Sequence, residues 1–368
     1  MTYPRTSVRQ MIHNAGGRLR AAGVDSPRVD AELLMAHALT LYAREGEDPV
    51  TRSSLFFRRQ DQVDPAVATV FESYIARRER REPLQHIMGT VRFAGIDIEV
   101  GPGAFIPRPE TELIVEWAGK ELRRAMKAVP AYTVVDLCTG PGTLALGIAH
   151  AAGNALLSRH RTMMRSDCSV SNEVSALPHV RIVGVEKSAD ALEFARRNVA
   201  TFIDEWRREA RGAGLSEADA DCLSVELCHG DVTAPSILAD IQQVLICNDA
   251  RARGASSARA DDGICANMIV SNPPYVPEST EVSPEVAADP HEAVFAGKDG
   301  MLVITPMVMV VEALSSQGTV VAIEHDETAG SMTAQCLEDH GFSNLEIHRD
   351  LAGRDRFVTG TATDTKKA

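Results

Sequence analysis

The sequence has no apolar run long enough to cross a bilayer, and its N-terminus lacks the hydrophobic core of a signal peptide. Its seven cysteines are scattered, and no two of them form a Cys-x-x-Cys pair. This spacing argues against both a zinc site and a disulfide framework. These absences predict a cytoplasmic protein that binds neither a membrane nor a metal.

An excess of basic residues is also missing, since the formal net charge is −13. Contacts to phosphate dominate the affinity of proteins for nucleic acid, so an acidic chain is a poor candidate for sequence-independent binding. One local basic run, Arg77 to Arg81, is interpreted as the solvated end of a helix. We therefore expect no nucleic-acid partner, and we expect the protein to act as a monomer.

The length of 368 residues and a hydrophobic content of 44% suit two globular domains. Residues 1–82 carry apolar side chains at helical spacing and no catalytic constellation, which predicts a helical substrate-recognition domain. A β-hairpin connector is expected at 83–107, where two short strand-like runs flank Gly95. The larger domain is expected at 108–368.

From Thr133 onward, short apolar strands alternate with amphipathic helices. This alternation predicts an α/β fold with a doubly wound, mostly parallel sheet of seven strands. Parallel strands are expected near 134–137, 180–185, 224–227, 268–271 and 320–323, and a terminal hairpin near 344–347 and 357–358.

Three polar segments interrupt this pattern, near 154–178, 207–220 and 248–266. They are rich in Ser, Ala, Gly, Arg and Asp and lack apolar periodicity. Segments of this kind inside an α/β domain form lids or disordered insertions, and the composition favours disorder.

A glycine turn, residues 136–143 (Asp-Leu-Cys-Thr-Gly-Pro-Gly-Thr), joins the first strand of the sheet to the next helix. Gly140 and Gly142 let the backbone turn sharply and approach a ligand closely. Ligands of doubly wound sheets bind outside the carboxyl ends of the strands, which is where this turn lies. A Gly-x-Gly turn is common, so it indicates a ligand only together with other residues.

Two carboxylates at strand ends supply that support. Glu186 ends the second strand, where an acidic side chain accepts hydrogen bonds from a ribose diol. Asp231 follows the third strand and is placed to meet an adenine amino group. The turn has Ala145 in place of the third glycine of the dinucleotide fingerprint, and it has no P-loop lysine. An adenosine ligand without a pyrophosphate indicates S-adenosylmethionine.

The tetrapeptide Asn272-Pro273-Pro274-Tyr275 directly follows the fourth strand. The prolines fix φ and carry no N–H, so the carbonyls of Asn272 and Pro273 are free to accept hydrogen bonds. With the Asn272 carboxamide, they suit a substrate that carries a planar NH2 group. Tyr275 is expected to form a wall of the site, and no general base is supplied.

These motifs, taken in order, resemble those of class I S-adenosylmethionine-dependent methyltransferases, and within that class the peptide chain release factor N5-glutamine methyltransferases. The similarity covers roughly 8–150, 180–200 and 224–360. The most discriminating segments are 26–32 (Ser-Pro-Arg-Val-Asp-Ala-Glu), 82–89 (Glu-Pro-Leu-Gln-His-Ile-Met-Gly) and 105–112 (Phe-Ile-Pro-Arg-Pro-Glu-Thr-Glu).

The resemblance implies methyl transfer from S-adenosylmethionine to the glutamine of the Gly-Gly-Gln loop of release factors, a step connected with translation termination. It implies that catalysis depends on Asn272, Pro273 and Tyr275, and that substrate contacts come from 272–275 and Phe105. The cofactor-binding residues that it implies are Asp136, Cys138, Thr139, Gly140, Pro141, Gly142, Glu186, Asp231, Val232 and Asn272.

The chain departs from the family pattern at two positions of the glycine turn. Family members usually carry Gly where Cys138 stands and a small residue where Pro141 stands. Pro141 removes one backbone N–H that could otherwise meet the cofactor carboxylate.

Three alternative functions remain open at this point. The first is an adenine-N6 methyltransferase on DNA or RNA, because adenine also presents a planar NH2 group; it would need a base-flipping pocket and a basic surface. The second is a methyltransferase that acts on the glutamine of another protein. The third is a binding module without catalysis.

Overall fold

The computed structural model describes residues 6–44, 46–165, 177–252 and 265–363. It contains two compact units, of which the first comprises Met1–Val91 and Val282–Ala288 and the second comprises Arg92–Glu281 and Asp289–Ala368. The division therefore falls at 91 instead of 82. The first unit also includes a short segment from the C-terminal half of the chain, which the sequence did not indicate.

The first unit is helical, as its apolar spacing predicts. The side chain of Ser7 caps the first helix by accepting from the N–H of Gln10, and prolines begin the next two helices. Leu19, Leu34 and Phe71 are fully buried at the centre of its core. The elements are α1 (Val8–Ala21), α2 (Pro27–Leu41), a 3₁₀ turn (Ser54–Phe56), α3 (Pro65–Glu79) and α4 (Leu84–Met88).

The basic run at the end of α3 is not wholly solvated, which corrects the expectation from sequence. Arg78 is buried, and its guanidinium donates to Asp30 Oδ2 and to Glu285 Oε1, both at 2.8 Å. Arg81 donates to both oxygens of Glu285, at 2.6 and 2.7 Å. Burial alone would raise the pKa of Glu285, but the two arginines lower it to about 2. These ion pairs attach the segment Val282–Ala288 to the helices of the first unit.

The division between the units falls within the first strand of the expected hairpin, and α4 occupies the first part of the predicted connector. From this hairpin onward the strands are β1 (Thr90–Phe93), β2 (Ile96–Glu99), β3 (Ala131–Leu137), β4 (His179–Glu186), β5 (Leu223–His229), β6 (Ala266–Ser271), β7 (Ser315–Glu324), β8 (Phe342–Arg349) and β9 (Asp355–Ala362). The helices of the second unit are α5 (Glu112–Ala125), α6 (Thr143–Arg165), α7 (Ala189–Gly212), α8 (Glu217–Ala220), α9 (Ile237–Ala252), α10 (His291–Val294), α11 (Ile304–Leu314) and α12 (Gly330–Asp339). Short 3₁₀ turns lie at Pro109–Thr111 and Val286–Ala288, the latter within the first unit.

Seven strands form one sheet in the order β5-β4-β3-β6-β7-β9-β8. The first five of these are parallel, and β9 runs antiparallel to both β7 and β8. This confirms the predicted doubly wound, mostly parallel sheet. The chain moves outward from β3 to β4 and β5 and then returns to the other side of β3 as β6. The carboxyl ends of β3 and β6 therefore form the switch point at which such sheets bind ligands.

The described parts of the three polar segments are mostly helical, although their composition favoured disorder. Helix α6 continues through the start of the first segment because Ala152, Leu156 and Leu157 continue its buried face. The second segment, 207–220, is mostly helical, and Trp206 Nε1 donates to the carbonyl of Ala220 at 2.8 Å. Helix α9 covers the beginning of the third. Residues 166–176 and 253–264 lie outside the described residues. Among the helices that the structure describes, none is long and apolar enough to cross a membrane.

The Arg78 ion pairs give the first prediction. Arg78→Ala should lower the free energy of unfolding by about 3 kcal/mol, because it leaves the buried carboxylate of Asp30 without its cation. Chemical denaturation followed by circular dichroism measures this change. The exposed Arg58→Ala in the same unit is the matched control and should shift the midpoint little. Equal midpoints for the two variants would contradict the prediction.

Candidate functional site

A cavity of about 520 Å³ lies in the second unit at the carboxyl ends of the parallel strands. We call it the switch-point cavity. It brings together the glycine turn after β3, the carboxylates after β4 and β5, and the tetrapeptide after β6. Its predicted lining residues are Phe105, Asp136, Cys138, Thr139, Gly140, Pro141, Glu186, Asp231, Val232, Asn272 and Pro274.

The glycine turn has a left-handed backbone at three positions. The φ angles of Cys138, Gly140 and Gly142 are 63°, 58° and 92°. Glycine adopts these angles without steric cost, whereas Cys138 does so with strain. This conformation explains why glycine suits position 138. Burial raises the pKa of the Cys138 thiol well above its usual value, so this side chain stays neutral.

The N–H groups of the glycine turn are used within the protein. The N–H of Thr139 donates to the carbonyl of Val185, and that of Gly140 donates to Glu186 Oε2 at 2.8 Å. The N–H groups of Gly142 and Thr143 both donate to the carbonyl of Thr139. Pro141 has no N–H. Residues 139–143 therefore offer no free N–H to an anion, which agrees with the absence of a pyrophosphate motif.

Asp136 is completely buried at the base of the glycine turn. Its Oδ2 accepts hydrogen bonds from the hydroxyl of Thr139 and from the N–H of Ala145, which fixes the turn to the start of α6. Within the described part of the chain, Oδ1 has no hydrogen-bond partner. Burial raises the pKa of Asp136 to about 7. A buried carboxyl with one unused oxygen favours a cationic or hydrogen-bond-donating ligand.

Glu186 and Asp231 stand at the ends of neighbouring strands. Glu186 Oε1 accepts from the N–H of Ser188 at 2.7 Å, in addition to the bond that Oε2 receives. Burial raises its pKa, and these backbone bonds oppose the rise. Asp231 accepts from Thr233 and pairs with Lys187 at 3.1 Å; these contacts outweigh its burial and lower its pKa. Each carboxylate keeps lone pairs for a ligand.

The two ends of the tetrapeptide contact different groups. Asn272 lines the cavity, and its Nδ2 donates to Thr111 Oγ1 at 3.1 Å. Tyr275 is not among the lining residues. Its hydroxyl donates to Glu324 Oε1 at 2.8 Å, because the buried carboxyl attracts the only polar atom of the side chain. The expectation that Tyr275 forms a wall is therefore not met by the cavity.

Asp289 holds the segment that carries Phe105. Its Oδ1 accepts from the N–H of Ile106 at 3.1 Å, and its Oδ2 pairs with Arg108. The guanidinium of Arg108 lies 4.9 Å from the centre of the Phe105 ring. Burial raises the pKa of Asp289 to about 6. The carboxyl thus fixes one edge of the cavity, a role that no sequence signal indicated.

Three of the predicted site residues, Gly142, Pro273 and Tyr275, do not line the switch-point cavity. Sequence reasoning missed Thr111, Lys187 and Asp289, as well as Glu324 behind the tetrapeptide. The signal for Glu324 was present, since it ends β7 as Glu186 ends β4. Thr111 lies within the segment 105–112, which resembles the family, but its contact with Asn272 joins residues far apart in sequence.

Comparisons with known proteins find similar sequences over nearly the whole chain. A family profile described as the PrmC N-terminal domain matches residues 10–89. The release factor glutamine methyltransferase of Mycolicibacterium smegmatis is 38% identical over 97% of this chain and 98% of its own length. That of Corynebacterium glutamicum is 37% identical over 95% of this chain and 97% of its own length.

Solved structures are more distant. The 16S rRNA N2 G1207 methyltransferase of T. thermophilus, in complex with AdoMet and guanosine, is 16% identical and covers 74% of this chain and 49% of that chain, with a TM-score of 0.38. The sequence relatives are similar over nearly their whole length. By that similarity, the chain belongs to the family of release factor glutamine methyltransferases.

Proposed function

We propose that this protein transfers a methyl group from S-adenosylmethionine to the side-chain nitrogen N5 of the glutamine in the Gly-Gly-Gln loop of peptide chain release factors. The observation that carries the proposal is that the Asn272 carboxamide lines the same cavity as the glycine turn and Glu186. Relatives that match nearly the whole of this chain are named release factor glutamine methyltransferase. A cytoplasmic, monomeric enzyme is part of the proposal.

The residues of the switch-point cavity fit S-adenosylmethionine, which supplies an electrophilic methyl group on a sulfonium cation when bound. The lining contains four carboxylates and one lysine, and that lysine already pairs with Asp231. An acidic cavity suits a cation and disfavours a phosphate. A Cβ atom at Gly140 would meet no protein atom within 4 Å, so this part of the turn is open to a ligand. Glu186 would hold the ribose, and Asp231 with Val232 would flank the adenine.

Two hydrogen-bond acceptors suit the substrate, one from Asn272 in the cavity lining and one from Pro273, the next residue along the chain. No described residue donates to Asn272 Oδ1 or to the carbonyl of Pro273. Two accepted hydrogen bonds would orient the glutamine NH2 so that its lone pair faces the methyl group, and would stabilise the positive charge that develops on nitrogen. A proton can leave after transfer, so these residues need no strong base. The neutral thiol of Cys138 is a poor competing nucleophile.

The adenine-N6 alternative is not favoured. It uses the same acceptors, but the relatives that match nearly the whole chain are named for glutamine methylation. The direct experiment incubates the enzyme with labelled S-adenosylmethionine and each release factor, and maps the label by mass spectrometry. Label on the glutamine of the Gly-Gly-Gln loop supports the proposal, and label only in nucleic acid would refute it.

We further propose that the first unit recognises the release factor. Support comes from an open groove of about 1040 Å³, which we call the arginine groove. Its one carboxylate, Glu32, already pairs with Arg28 and Arg52 at 2.9 and 2.7 Å. The lining is therefore positively charged overall. The arginines that line it are Arg9, Arg20, Arg28, Arg52 and Arg59.

An exposed aromatic side chain accompanies these charges. Phe56 lines the groove and is 59% exposed, and the guanidinium of Arg59 lies 4.1 Å from the centre of its ring. Exposed aromatic residues beside arginine are enriched where proteins bind one another. An acidic surface of the protein substrate is the partner that this groove suits.

The buried carboxyl of Asp136 makes cofactor affinity depend on pH. A cationic ligand favours the ionised form and so lowers a pKa that is about 7 in the free protein. Binding at pH 6 should release close to one proton, and affinity should fall about tenfold for each pH unit below 7. Calorimetry in two buffers of different ionisation enthalpy counts the protons. Asp136→Asn is the control, since any remaining pH dependence belongs to the ligand or to other groups of the cavity such as Glu186; an equal slope in both proteins would contradict the prediction.

Asn272→Ala should abolish most turnover while leaving cofactor affinity nearly unchanged. The variant removes an acceptor that acts on the transferring nitrogen, so we expect kcat to fall by about 100-fold or more. Turnover on a release factor and calorimetry with S-adenosylmethionine measure the two quantities. Asn154→Ala, which removes an exposed asparagine outside the cavity, is the matched control. Near-normal kcat in Asn272→Ala would exclude the mechanism.

Charge reversal in the arginine groove should weaken binding of the intact substrate alone. The double variant Arg20→Glu/Arg59→Glu should raise KM for a release factor by about tenfold, most strongly at low salt. Its kcat/KM on a short Gly-Gly-Gln peptide should not change. The double variant Arg44→Glu/Arg58→Glu changes two exposed arginines of the same unit outside the groove, and so controls for net charge. If both variants raise KM equally, the groove has no specific role.

A further inference from the structure

A buried carboxyl lies behind the tetrapeptide and is not used by the mechanism above. Glu324, the last residue of β7, is 2% exposed and accepts from the Tyr275 hydroxyl through Oε1. The Thr111 hydroxyl, which is also buried, interacts with the same carboxyl and accepts from Asn272 Nδ2. Within the described residues, Glu324 Oε2 has no partner at hydrogen-bond geometry, so this oxygen is open to the hydroxyl of Thr111. We call Thr111, Asn272, Tyr275 and Glu324 the Glu324 cluster.

The Glu324 cluster can fix the orientation of the Asn272 carboxamide, which Thr111 alone cannot fix. A carboxamide has a donor end and an acceptor end, and a hydroxyl can meet either one. Thr111 by itself would therefore accept Asn272 in both orientations. An ionised carboxylate can only accept, so a Thr111 hydroxyl that turns toward Glu324 must direct its hydrogen there. Thr111 is then left with lone pairs only, and it must face the NH2 end of Asn272.

We propose that Thr111 and Glu324 are positioning residues that set the polarity of the Asn272 carboxamide and keep its Oδ1 directed away from Thr111, toward the substrate. The inference rests on the proposed function, because the glutamine NH2 needs an acceptor opposite it. The reversed carboxamide would present NH2 to NH2. Such a pair makes no hydrogen bond and does not orient the nitrogen lone pair.

The same carboxyl fixes the other end of the tetrapeptide through the Tyr275 hydroxyl at 2.8 Å. Between the two ends stand Pro273 and Pro274, whose rings restrict the backbone. One buried group thus holds both termini of a short, stiff segment. This arrangement explains why Tyr275 is directed toward Glu324 and does not line the switch-point cavity.

The groups around Glu324 determine its pKa, and therefore the pH range in which the ionised carboxylate can orient Thr111. Burial raises its pKa to about 7, while the hydroxyls of Thr111 and Tyr275 and the charge of Arg356 oppose the rise and Glu110 adds to it. Arg356 donates to Asp350 at 2.8 Å, and Arg108 interacts with Tyr275. A protonated Glu324 can donate to Thr111, and the polarity of the cluster is then no longer fixed. We expect kcat to fall as the pH drops below 7.

The test compares three substitutions at saturating concentrations of both substrates. Glu324→Gln imitates the protonated acid, so its kcat should be about tenfold lower at pH 8 and should lack the acid limb. Thr111→Val should lower kcat by a similar factor, while Thr111→Ser keeps the hydroxyl and should restore it to within about twofold. KM for the release factor and the affinity for S-adenosylmethionine should change little in all three.

Thr319→Val is the matched control for loss of a buried threonine hydroxyl. Thr319 is 2% exposed, lies in the same strand as Glu324 and donates to the carbonyl of Ala266. Its kcat and pH profile should match those of the wild type even if its thermal stability falls. A control that loses kcat as strongly as Thr111→Val would overturn the inference in favour of a structural role.

The outcomes separate the two proposals. Wild-type enzyme that forms no methylglutamine, as judged by mass spectrometry, overturns the proposed function together with this inference. Wild-type enzyme that forms the product, with unchanged kcat in Thr111→Val and Glu324→Gln at pH 8, overturns this inference alone. An acid limb that persists in Glu324→Gln does the same, because another group would then cause it.

Discussion

The parallel pairing of β3 with β6 is the constraint on which the site depends. Leu137 lies opposite Ser271 in this register, and the Ser271 hydroxyl donates to the carbonyl of Leu137 at 2.6 Å. The residues that follow are Cys138 on one strand and Asn272 on the other. A register shift of one residue in either strand would turn the side chains of that strand to the opposite face of the sheet. The glycine turn and the tetrapeptide, 134 residues apart at this bond, therefore share one cavity only while this pairing holds.

Acidic groups gathered at these strand ends create an electrostatic conflict in the free protein. Burial raises the pKa of Asp136 and of Glu324 to about 7 and also raises that of Glu186. The protein keeps them together by giving each at least one hydrogen-bond donor, from a backbone N–H or a hydroxyl. A cation in the cavity would relieve the conflict on the Asp136 and Glu186 side. The carboxyl of Glu324, which is not among the lining residues, is stabilised by protein groups instead.

The sequence predicted the features that follow from periodicity and strand ends. The seven-stranded sheet is confirmed, and Glu186 and Asp231 lie where strand ends were expected to bring them. It could not predict contacts that depend on tertiary packing. Arg78 lies in a run that looks solvated, yet folding buries it against Asp30. The polar segment at 207–220 looked disordered because its apolar residues are few, but Ala210, Leu215 and Ala220 are enough to bury one face. Asp289 supports Phe105 from a distance of more than 180 residues, which no local pattern encodes.

The hydrogen bonds of the glycine turn limit the effect of Pro141, which is one of the two departures from the family pattern. The missing N–H of Pro141 would weaken cofactor binding only in a turn whose backbone N–H groups bind the cofactor carboxylate. The N–H groups of Thr139, Gly140, Gly142 and Thr143 all donate within the protein instead. Proline therefore removes a donor from a stretch, residues 139–143, whose other N–H groups all donate within the protein, and its fixed φ stiffens the backbone there. Its carbonyl accepts from Asn198 Nδ2 at 2.9 Å, which holds the turn against α7. Cys138 is the costlier departure, because a left-handed backbone strains any residue with a Cβ. Recognition of the ligand carboxylate then has to come from groups other than the backbone of residues 139–143.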